Sequence, residues 1–276
     1  MKQKVIGLCK ALTCADFLPA ILPMLLEQLD AIVFVLPNKD WLGNEKENVV
    51  TSFIMTDPFV SSHMGEEDSR IHLVGSDSID QMEQYNAGYA YIKENFDADW
   101  IFIFDTDEVW DDASLQTLLQ TAEKENIANG LSSLIYTYVK SPFYQVEPQE
   151  PLTPCVMFRP IYKEVPGIRG NGALPMKIVD LAFHHFSYVR ATEQELLDKI
   201  TVSTHADNIK EIVIHTVNLD VWKKEKWDKM PNVTNFHTSN GFQKNWHKLR
   251  VVDKTELPYE ILELPIVKKF EGAENE

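Results

Sequence analysis

Residues 100–108 read WIFIFDTDE: five bulky apolar residues run directly into a segment with three carboxylates. An unbroken apolar run this short, rich in isoleucine and aromatic residues, is typical of a strand that is buried on both faces of an α/β sheet. Asp105 and Asp107 are two residues apart, so in an extended chain both side chains leave the same face. The stretch therefore predicts a central strand that delivers two carboxylates to its carboxyl end.

Two carboxylates at the carboxyl end of a buried strand repel each other and lose part of their hydration. A hard divalent cation between them and a phosphate offsets both costs. The segment thus predicts a metal site for a phosphorylated ligand at Asp105 and Asp107. The alternative is a solvated acidic loop in which Asp111 and Asp112 cap the helix that follows.

The chain before this segment alternates between strand and helix. Apolar runs predict strands over 5–9, 31–36 and 70–74, and helical apolar spacing predicts helices over 16–29, 45–56 and 81–95. Asp16 and Asp80 are expected to cap the first and third of these helices. Such alternation is typical of a doubly wound parallel sheet, whose ligands bind beyond the carboxyl ends of the strands.

The pattern changes after Gly130. Longer strands, expected to be antiparallel, are predicted over 131–139 and 156–162; another strand is predicted over 179–188 and a helix from 192 to 205. Between residues 210 and 254 Lys and Arg outnumber Asp and Glu, and aromatic residues are interleaved with them. We therefore expect an α/β domain over residues 1–190 and a helical, basic and aromatic extension over 191–276 that forms a second binding surface.

Composition limits the class of protein. The 276 residues carry a net charge of −16, which argues against a protein that coats nucleic acid or a membrane surface. No apolar run reaches the length of about 18 residues that a membrane span needs, and the N-terminus does not resemble a signal peptide. The three cysteines lack zinc-site spacing and are typical of reduced thiols in a cytoplasmic protein.

Three segments resemble the family 2 glycosyltransferases. Residues 84–88 (QYNAG), followed by Asp99-Trp100, resemble the helix before the metal-binding strand of that family. Residues 104–108 (FDTDE) resemble its D-x-D motif, and residues 185–190 (HFSYVR), with Lys199 further on, resemble its late histidine block. The likeness covers residues 4 to 200.

The resemblance implies a GT-A fold: a Rossmann-like, mostly parallel central sheet with helices on both faces and a small antiparallel part. It implies a nucleotide-diphosphate-sugar donor, such as a UDP-sugar, whose diphosphate is bridged by Mn²⁺ or Mg²⁺. Asp105, Asp107 and His185 are the implied metal ligands, with His184 as the substitute for His185. The residues after 190 would complete the site and its acceptor side.

The resemblance also implies a set of donor-binding residues: Lys10, Asn38, Gln84, Asn86, Asp105, Arg190 and Lys199. Arg190 and Lys199 would neutralise the leaving diphosphate. Family 2 members mostly invert the anomeric centre, which requires a carboxylate to deprotonate the acceptor hydroxyl. Glu108, Asp180 and Glu164 are the candidates for that base, and the sequence does not choose among them.

The acceptor stays open at the level of sequence. A glycan is the family default, and the basic aromatic segment raises a hydroxymethylated base of phage DNA as a second acceptor. The protein would act in the bacterial cytoplasm, or in the host cytoplasm if it is phage-encoded.

Two other readings compete with the transferase. One is a haloacid-dehalogenase-type phosphatase in which Asp105 is the nucleophile and Asp107 the acid/base. The other is a degenerate homologue of a glycosyltransferase that only binds sugar.

Overall fold

The structure is a computed structural model, which describes residues 3–39, 43–64, 69–149, 152–167, 175–190, 192, 194–196 and 248–273. The strands are β1 (Val5–Lys10), β2 (Ala31–Pro37), β3 (Ile71–Ser76), β4 (Trp100–Phe104), β5 (Glu108–Val109), β6 (Gly130–Val139), β7 (Tyr144–Glu147), β8 (Cys155–Phe158), β9 (Met176–Tyr188) and β10 (Lys248–Val251). The helices are α1 (Leu18–Gln28), α2 (Val49–Thr56), α3 (Pro58–Ser61), α4 (Gln81–Asn95), α5 (Asp112–Lys124), α6 (Tyr259–Leu262) and α7 (Pro265–Ala273).

Four parallel strands form the centre of the sheet in the order β3-β2-β1-β4. The chain first builds outward from β1 to β3 and then returns to place β4 on the other side of β1. That reversal creates a topological switch point between β1 and β4, which is where sheets of this type bind ligands. The carboxyl ends of these two strands are Lys10 and Phe104, so the D-x-D segment begins at the switch point.

Helices cover both faces of this sheet. Helix α4 packs on one face through Tyr85, Tyr89 and Ile92, and α1 and α5 lie over the other face. Within α4, Gly88 allows the closest approach, because a Cβ there would lie 2.5 Å from Val35 Cγ2 and 2.6 Å from Leu8 Cδ1. The fold class predicted from the sequence, a largely parallel α/β sheet between helices, is confirmed.

The rest of the sheet is mixed. Beyond β4 the order continues β8-β6-β7-β10, with antiparallel pairing throughout. The long strand β9 pairs in parallel with β6 and antiparallel with the short strand β5, which sets Glu108 opposite His185. This pairing brings the late histidines to the D-x-D segment.

Several predicted boundaries need correction. Asp16 does not cap α1, whose N-cap is Phe17 without a side-chain hydrogen bond. Helix α2 begins at Val49 under an Asn48 cap, not at residue 45, and β8 ends at Phe158, not at 162. The Asp80 cap and the helix over 81–95 are confirmed.

Of the chain after residue 190, the structure describes residues 192 and 194–196 and then the part from residue 248 onward. There β10 joins the main sheet through β7, and the two short helices α6 and α7 follow. The predicted helix over 192–205 and the basic segment up to residue 247 lie almost wholly outside the described residues. No helix within the described ranges is both long and apolar enough to cross a bilayer.

Candidate functional site at the carboxyl end of the central strands

The chain turns immediately after β4. The Glu108 amide donates to the Asp105 carbonyl at 3.1 Å, which closes a four-residue turn over 105–108. The expectation that Asp105 and Asp107 project from one face of an extended strand is therefore wrong, because the strand ends at Phe104. The Thr106 hydroxyl donates to the Thr13 carbonyl at 3.1 Å and ties this turn to the loop after β1.

Asp107 lies at the centre of a buried cluster and is only 4% exposed. Its Oδ2 accepts a hydrogen bond from Arg190 Nη2 at 2.7 Å, and its Oδ1 lies 3.6 Å from His185 Nε2. Its backbone carbonyl accepts the Phe186 amide at 2.8 Å. The structure thus brings together Asp107 and His185, which the sequence analysis paired as metal ligands, and Arg190, which it placed with the donor diphosphate.

Arg190 is the buried cation of this cluster. Its side chain is 5% exposed, and Nη1 donates to the Phe186 carbonyl at 2.9 Å and to the Val189 carbonyl at 2.8 Å. Burial alone would lower the pKa of Arg190, but attraction to Cys14, Asp107 and Asp16 outweighs it and raises that pKa. The guanidinium therefore stays charged, enclosed by protein groups.

The two adjacent histidines face opposite sides of β9, as their alternation predicts. His184 stacks on Tyr138, with ring centroids 5.6 Å apart, and its Nδ1 lies 2.7 Å from the Tyr138 hydroxyl. Burial lowers the pKa of His184 to about 4, so this ring is neutral at physiological pH. His185, not His184, lies beside Asp107.

Asp105 has a different environment from Asp107. It is half-buried, its Oδ1 accepts the Tyr85 hydroxyl at 3.2 Å, and its amide donates to Glu108 Oε2 at 3.2 Å. Glu108 is only 4% exposed. The Glu108 carboxylate therefore supports the turn that carries Asp105.

The donor atoms around Asp107 suit a cation that brings part of its own ligand shell. The 3.6 Å between Asp107 Oδ1 and His185 Nε2 is too long for a hydrogen bond. Two ligand atoms that each lie about 2.1 Å from one ion are roughly 3.0–3.6 Å apart when the ligand–ion–ligand angle is about 90–120°. The separation of Asp107 Oδ1 and His185 Nε2 therefore fits two ligands of one ion. Among the residues that the structure describes, no group of three or more His, Cys, Asp or Glu side chains could hold a metal.

The donor set combines one carboxylate with one imidazole. A carboxylate suits Mg²⁺ or Mn²⁺, which complete their shells with water and phosphate oxygens, whereas an imidazole is a more usual ligand of transition metals. Two protein ligands would leave most of the shell of such an ion to water and a bound ligand, whereas a closed structural site would need more protein ligands.

The predicted donor-binding residues have separate surroundings. Lys10 ends β1 and is half-buried, and exposed Asn38 follows β2 and donates from Nδ2 to Asp77 Oδ1 at 2.7 Å. Gln84 is 2% exposed and donates from Nε2 to the Ser78 carbonyl at 2.6 Å. Asn86 Oδ1 accepts the Val165 amide at 2.8 Å, so it anchors the loop that follows β8.

Lys199 lies outside the described residues. The Arg190 side chain is buried, and its guanidinium donates to Asp107 and to two backbone carbonyls, whereas its contact with the diphosphate stays a prediction.

The three candidate bases are far from equivalent. Glu108 lies within the turn, as described above. Asp180 is exposed on β9, five residues before His185 and thus about 16 Å along the strand. Glu164 is exposed in the loop that Asn86 anchors to the first turns of α4.

Sequence reasoning missed Tyr85, Thr13 and Asp16 as neighbours of the site. Burial, followed by repulsion from Glu195, raises the pKa of Asp16, and attraction to Arg190 opposes the rise. Asp16 was assigned to a helix cap because an acidic residue before an apolar run is the usual cap signal. Only the place of Tyr85 within the QYNAG segment offered a hint of its role.

No family model matches the chain, and no curated protein does either. Among solved structures, a mycobacterial protein aligns over 91% of this chain and 85% of its own, at 9% identity and a TM-score of 0.45. TarS of S. aureus (residues 1–349) aligns over 79% of each chain at 9% identity and a TM-score of 0.41. The inositol-1-phosphate CTP transferase of T. maritima aligns over 72% of this chain and 97% of its own, at 10% identity and a TM-score of 0.37. Similarities this distant assign neither a family nor an activity.

Proposed function

We propose that this protein is a metal-dependent glycosyltransferase that moves a sugar from a nucleotide-diphosphate donor to an acceptor hydroxyl. One observation carries the proposal. Asp107 and His185, which are distant in sequence, meet 3.6 Å apart beside the carboxyl end of β4, next to the switch point of a parallel sheet. That is the place where such sheets bind nucleotides, and the two donor atoms fit a cation that also binds phosphate.

The proposed reaction breaks the bond between the anomeric carbon and the donor phosphate. A bound Mn²⁺ or Mg²⁺ would stabilise the negative charge that develops on the leaving diphosphate. Asp107 and His185 would hold the ion. Asp105, which Tyr85 orients, would contact the sugar or ribose hydroxyls of the donor. Lys10 and Asn38 would border the nucleoside, because Lys10 ends β1 and Asn38 directly follows the neighbouring strand β2.

Inversion at the anomeric carbon requires a carboxylate near the acceptor hydroxyl. Glu164 suits this role best among the three candidates, since it is exposed and its loop is attached to α4 close to Tyr85. Glu108 is engaged with the Asp105 amide, and Asp180 lies too far along β9. We propose a glycan as the acceptor, and a hydroxymethylated DNA base as the second candidate because of the basic residues between 210 and 254.

The phosphatase reading is less well supported. It needs Asp107 to exchange a proton with a substrate, but Asp107 is only 4% exposed and its Oδ2 already accepts a hydrogen bond from Arg190 Nη2 at 2.7 Å. A degenerate sugar-binding homologue would keep the site without turnover, and a turnover assay with the same ligands would separate it from the transferase.

The test is a thermal-shift titration of the wild-type protein with Mn²⁺ and UDP, extended to UDP-sugars. A ligand at 100 times its Kd stabilises the folded state by about 2.7 kcal/mol, so we expect Tm to rise by about 5 °C. We expect Asp107→Asn to abolish the rise. Asn is preferred to Ala because it keeps an acceptor for Arg190, whereas removal of one partner of a buried ion pair costs about 3–5 kcal/mol.

Asp99→Asn is the matched control. Asp99 precedes β4 at the opposite edge of the sheet, where it accepts the Lys4 amide at 2.7 Å. This variant is expected to lose some stability and to keep the full ligand-induced shift. If the wild type shows no shift with Mn²⁺ and any nucleotide diphosphate, or if Asp107→Asn keeps it, the proposal is wrong.

A further inference from the structure

Arg190 is the residue whose surroundings differ most from the role that the sequence suggests. We infer that Arg190 is a positioning residue: it fixes the orientation of the Asp107 carboxylate, and so the cation site, without touching the donor. What the site binds rests on the proposed function. The contact by which Arg190 orients Asp107 involves only residues of this chain and does not depend on the ligand.

The first argument is burial. The Arg190 side chain is 5% exposed, and its guanidinium makes three hydrogen bonds of 2.7 to 2.9 Å to protein acceptors. Because so little of this side chain is exposed, the guanidinium offers almost no surface for a diphosphate to contact. Arginine forms such bridges well because its planar fork offers five donors in fixed directions.

The second argument is geometric. A carboxylate can rotate, but the bond from Arg190 Nη2 holds Oδ2 of Asp107 and so sets the direction of Oδ1 toward His185 Nε2. The same guanidinium bonds the Phe186 carbonyl, and the Phe186 amide donates to the Asp107 carbonyl. These contacts close a ring that links the end of β9 to the turn after β4. The pairing of β5 with β9 sets the two backbones, and the Arg190 side chain sets the orientation of the Asp107 carboxylate toward His185.

The third argument is electrostatic. Asp107 is 4% exposed, and an uncompensated charge at that depth would be costly. The ion pair with Arg190, at 2.7 Å, supplies the compensating charge. A lysine would keep the charge but could not bridge the carboxylate and both carbonyls at once.

The experiment compares Arg190→Lys with the matched variant Arg70→Lys. Arg70 also bridges backbone carbonyls, those of Leu26, Leu29 and Asp30, but it lies before β3 at the opposite edge of the sheet. Both variants are expected to lose stability, so a lower Tm alone does not distinguish them. Arg190→Gln serves as the second variant if Arg190→Lys does not fold.

Two readouts are measured on folded protein well below each Tm. The first is the Kd for Mn²⁺ in the presence of UDP, by calorimetry. We expect it to rise at least tenfold in Arg190→Lys and to change less than twofold in Arg70→Lys. The second is the ¹⁵N spectrum of the His185 ring without ligand at fixed pH, assigned by its loss in His185→Gln. We expect its signals to move in the Arg190 variants only.

The two readouts separate this inference from the proposed function. If the wild type binds no Mn²⁺ with UDP but the His185 signals move in Arg190→Lys, the proposed function fails and the positioning role stands. Unchanged His185 signals in a folded Arg190 variant overturn the positioning role. A wild-type control covers the case in which neither variant folds: the guanidinium hydrogens of Arg190 should stay protected from exchange with solvent when Mg²⁺ and UDP are added. Loss of that protection would contradict the inference.

Discussion

At the scale of single residues, two neighbouring histidines take opposite roles because of the strand they share. His185 faces the acidic turn, whereas His184 enters an aromatic layer with Tyr138 and Phe186. Burial also raises the pKa of Tyr138 above its ordinary value, so the hydrogen bond between Tyr138 and His184 joins two neutral groups. His184 is thus a structural residue.

His184 should make stability depend on pH on the acid side of neutrality. Its pKa falls from 6.5 in the unfolded chain to about 4 in the folded protein. The unfolded state therefore binds a proton first, and the free energy of unfolding should fall as pH drops from about 6.5 toward 4, by roughly 1–3 kcal/mol. Urea unfolding between pH 8 and 4 would measure this.

His184→Gln is the comparison for that prediction. The variant keeps a polar side chain near Tyr138 but lacks the titrating ring, so its unfolding free energy should change less over the same pH range. Parallel pH profiles for the wild type and a folded His184→Gln would show that His184 does not carry the dependence.

At the scale of elements, α4 connects sheet packing to the site. The helix lies against β1 and β2 at Gly88, and one turn earlier it presents Tyr85 to Asp105. Asp80 caps its first turn by accepting the Glu83 amide at 2.9 Å. The distance between helix and sheet therefore determines where the Tyr85 hydroxyl lies relative to the carboxylate.

Gly88→Ala should displace this helix. The added methyl group would lie 2.5 Å from Val35 Cγ2 and 2.6 Å from Leu8 Cδ1, and both belong to buried side chains. Overpacking of this kind costs about 1–3 kcal/mol, which outweighs the gain in helix propensity of about 1 kcal/mol. Chemical denaturation would measure the loss, and Mn²⁺–UDP affinity should fall with it.

Gly75→Ala in β3 is the matched control, since a Cβ there meets no atom within 4 Å. Its unfolding free energy should stay within about 0.5 kcal/mol of the wild type. A Gly88→Ala protein as stable as Gly75→Ala would contradict the close packing of α4.

At the scale of the whole molecule, the two edges of the sheet have different roles. The carboxyl edge carries the proposed site, and the amino edge carries a network that joins α5, β8 and β9. Glu125 accepts the Ile127 and Ala128 amides at 2.8 and 2.9 Å and pairs with Lys177 at 3.0 Å. Arg159 bonds the Glu125 carbonyl and lies over the Trp100 ring at 4.4 Å, which links the network to β4.

This network should contribute to acid unfolding. Hydrogen bonds from the Ala128 and Ile127 amides, and then from Lys177, lower the pKa of Glu125 from 4.5 to about 2. The stabilisation is present above pH 4.5 and is lost as pH falls from 4.5 to 2, because protonation removes the charge. Urea midpoints at pH 7, 4 and 3 should fall less steeply with acid in Glu125→Gln than in the wild type.

Lys177→Met tests how much of this pH dependence comes from Lys177. The variant loses the Lys177 hydrogen bond but keeps the stronger bonds from the Ala128 and Ile127 amides. Its unfolding free energy should therefore depend on pH nearly as that of the wild type does. Neither variant should change Mn²⁺–UDP binding, because the network lies at the edge away from Asp107. A binding defect in Glu125→Gln would mean that the two edges are coupled.

The sequence by itself determined the strands and helices of the parallel half, the Asp80 cap and the acidic segment after β4. These features follow from local patterns: apolar periodicity, cap residues and a buried run of five residues, all of which act within a few residues of chain. The prediction was wrong at Asp16. Its place before an apolar run favours a helix cap, but in the folded protein its carboxyl is attracted to Arg190, which is distant in sequence.

Only the tertiary structure decided which side chains share the site. His185 rather than His184 meets Asp107 because of the register of β9 against β5, and a slip of one residue would exchange the two histidines. Arg190 is enclosed, and Asp180 is remote, for reasons of burial and distance along β9 that no local pattern encodes. The contact between Arg190 and Asp107 joins residues 83 apart, and it forms only when the parallel and antiparallel halves of the sheet are assembled.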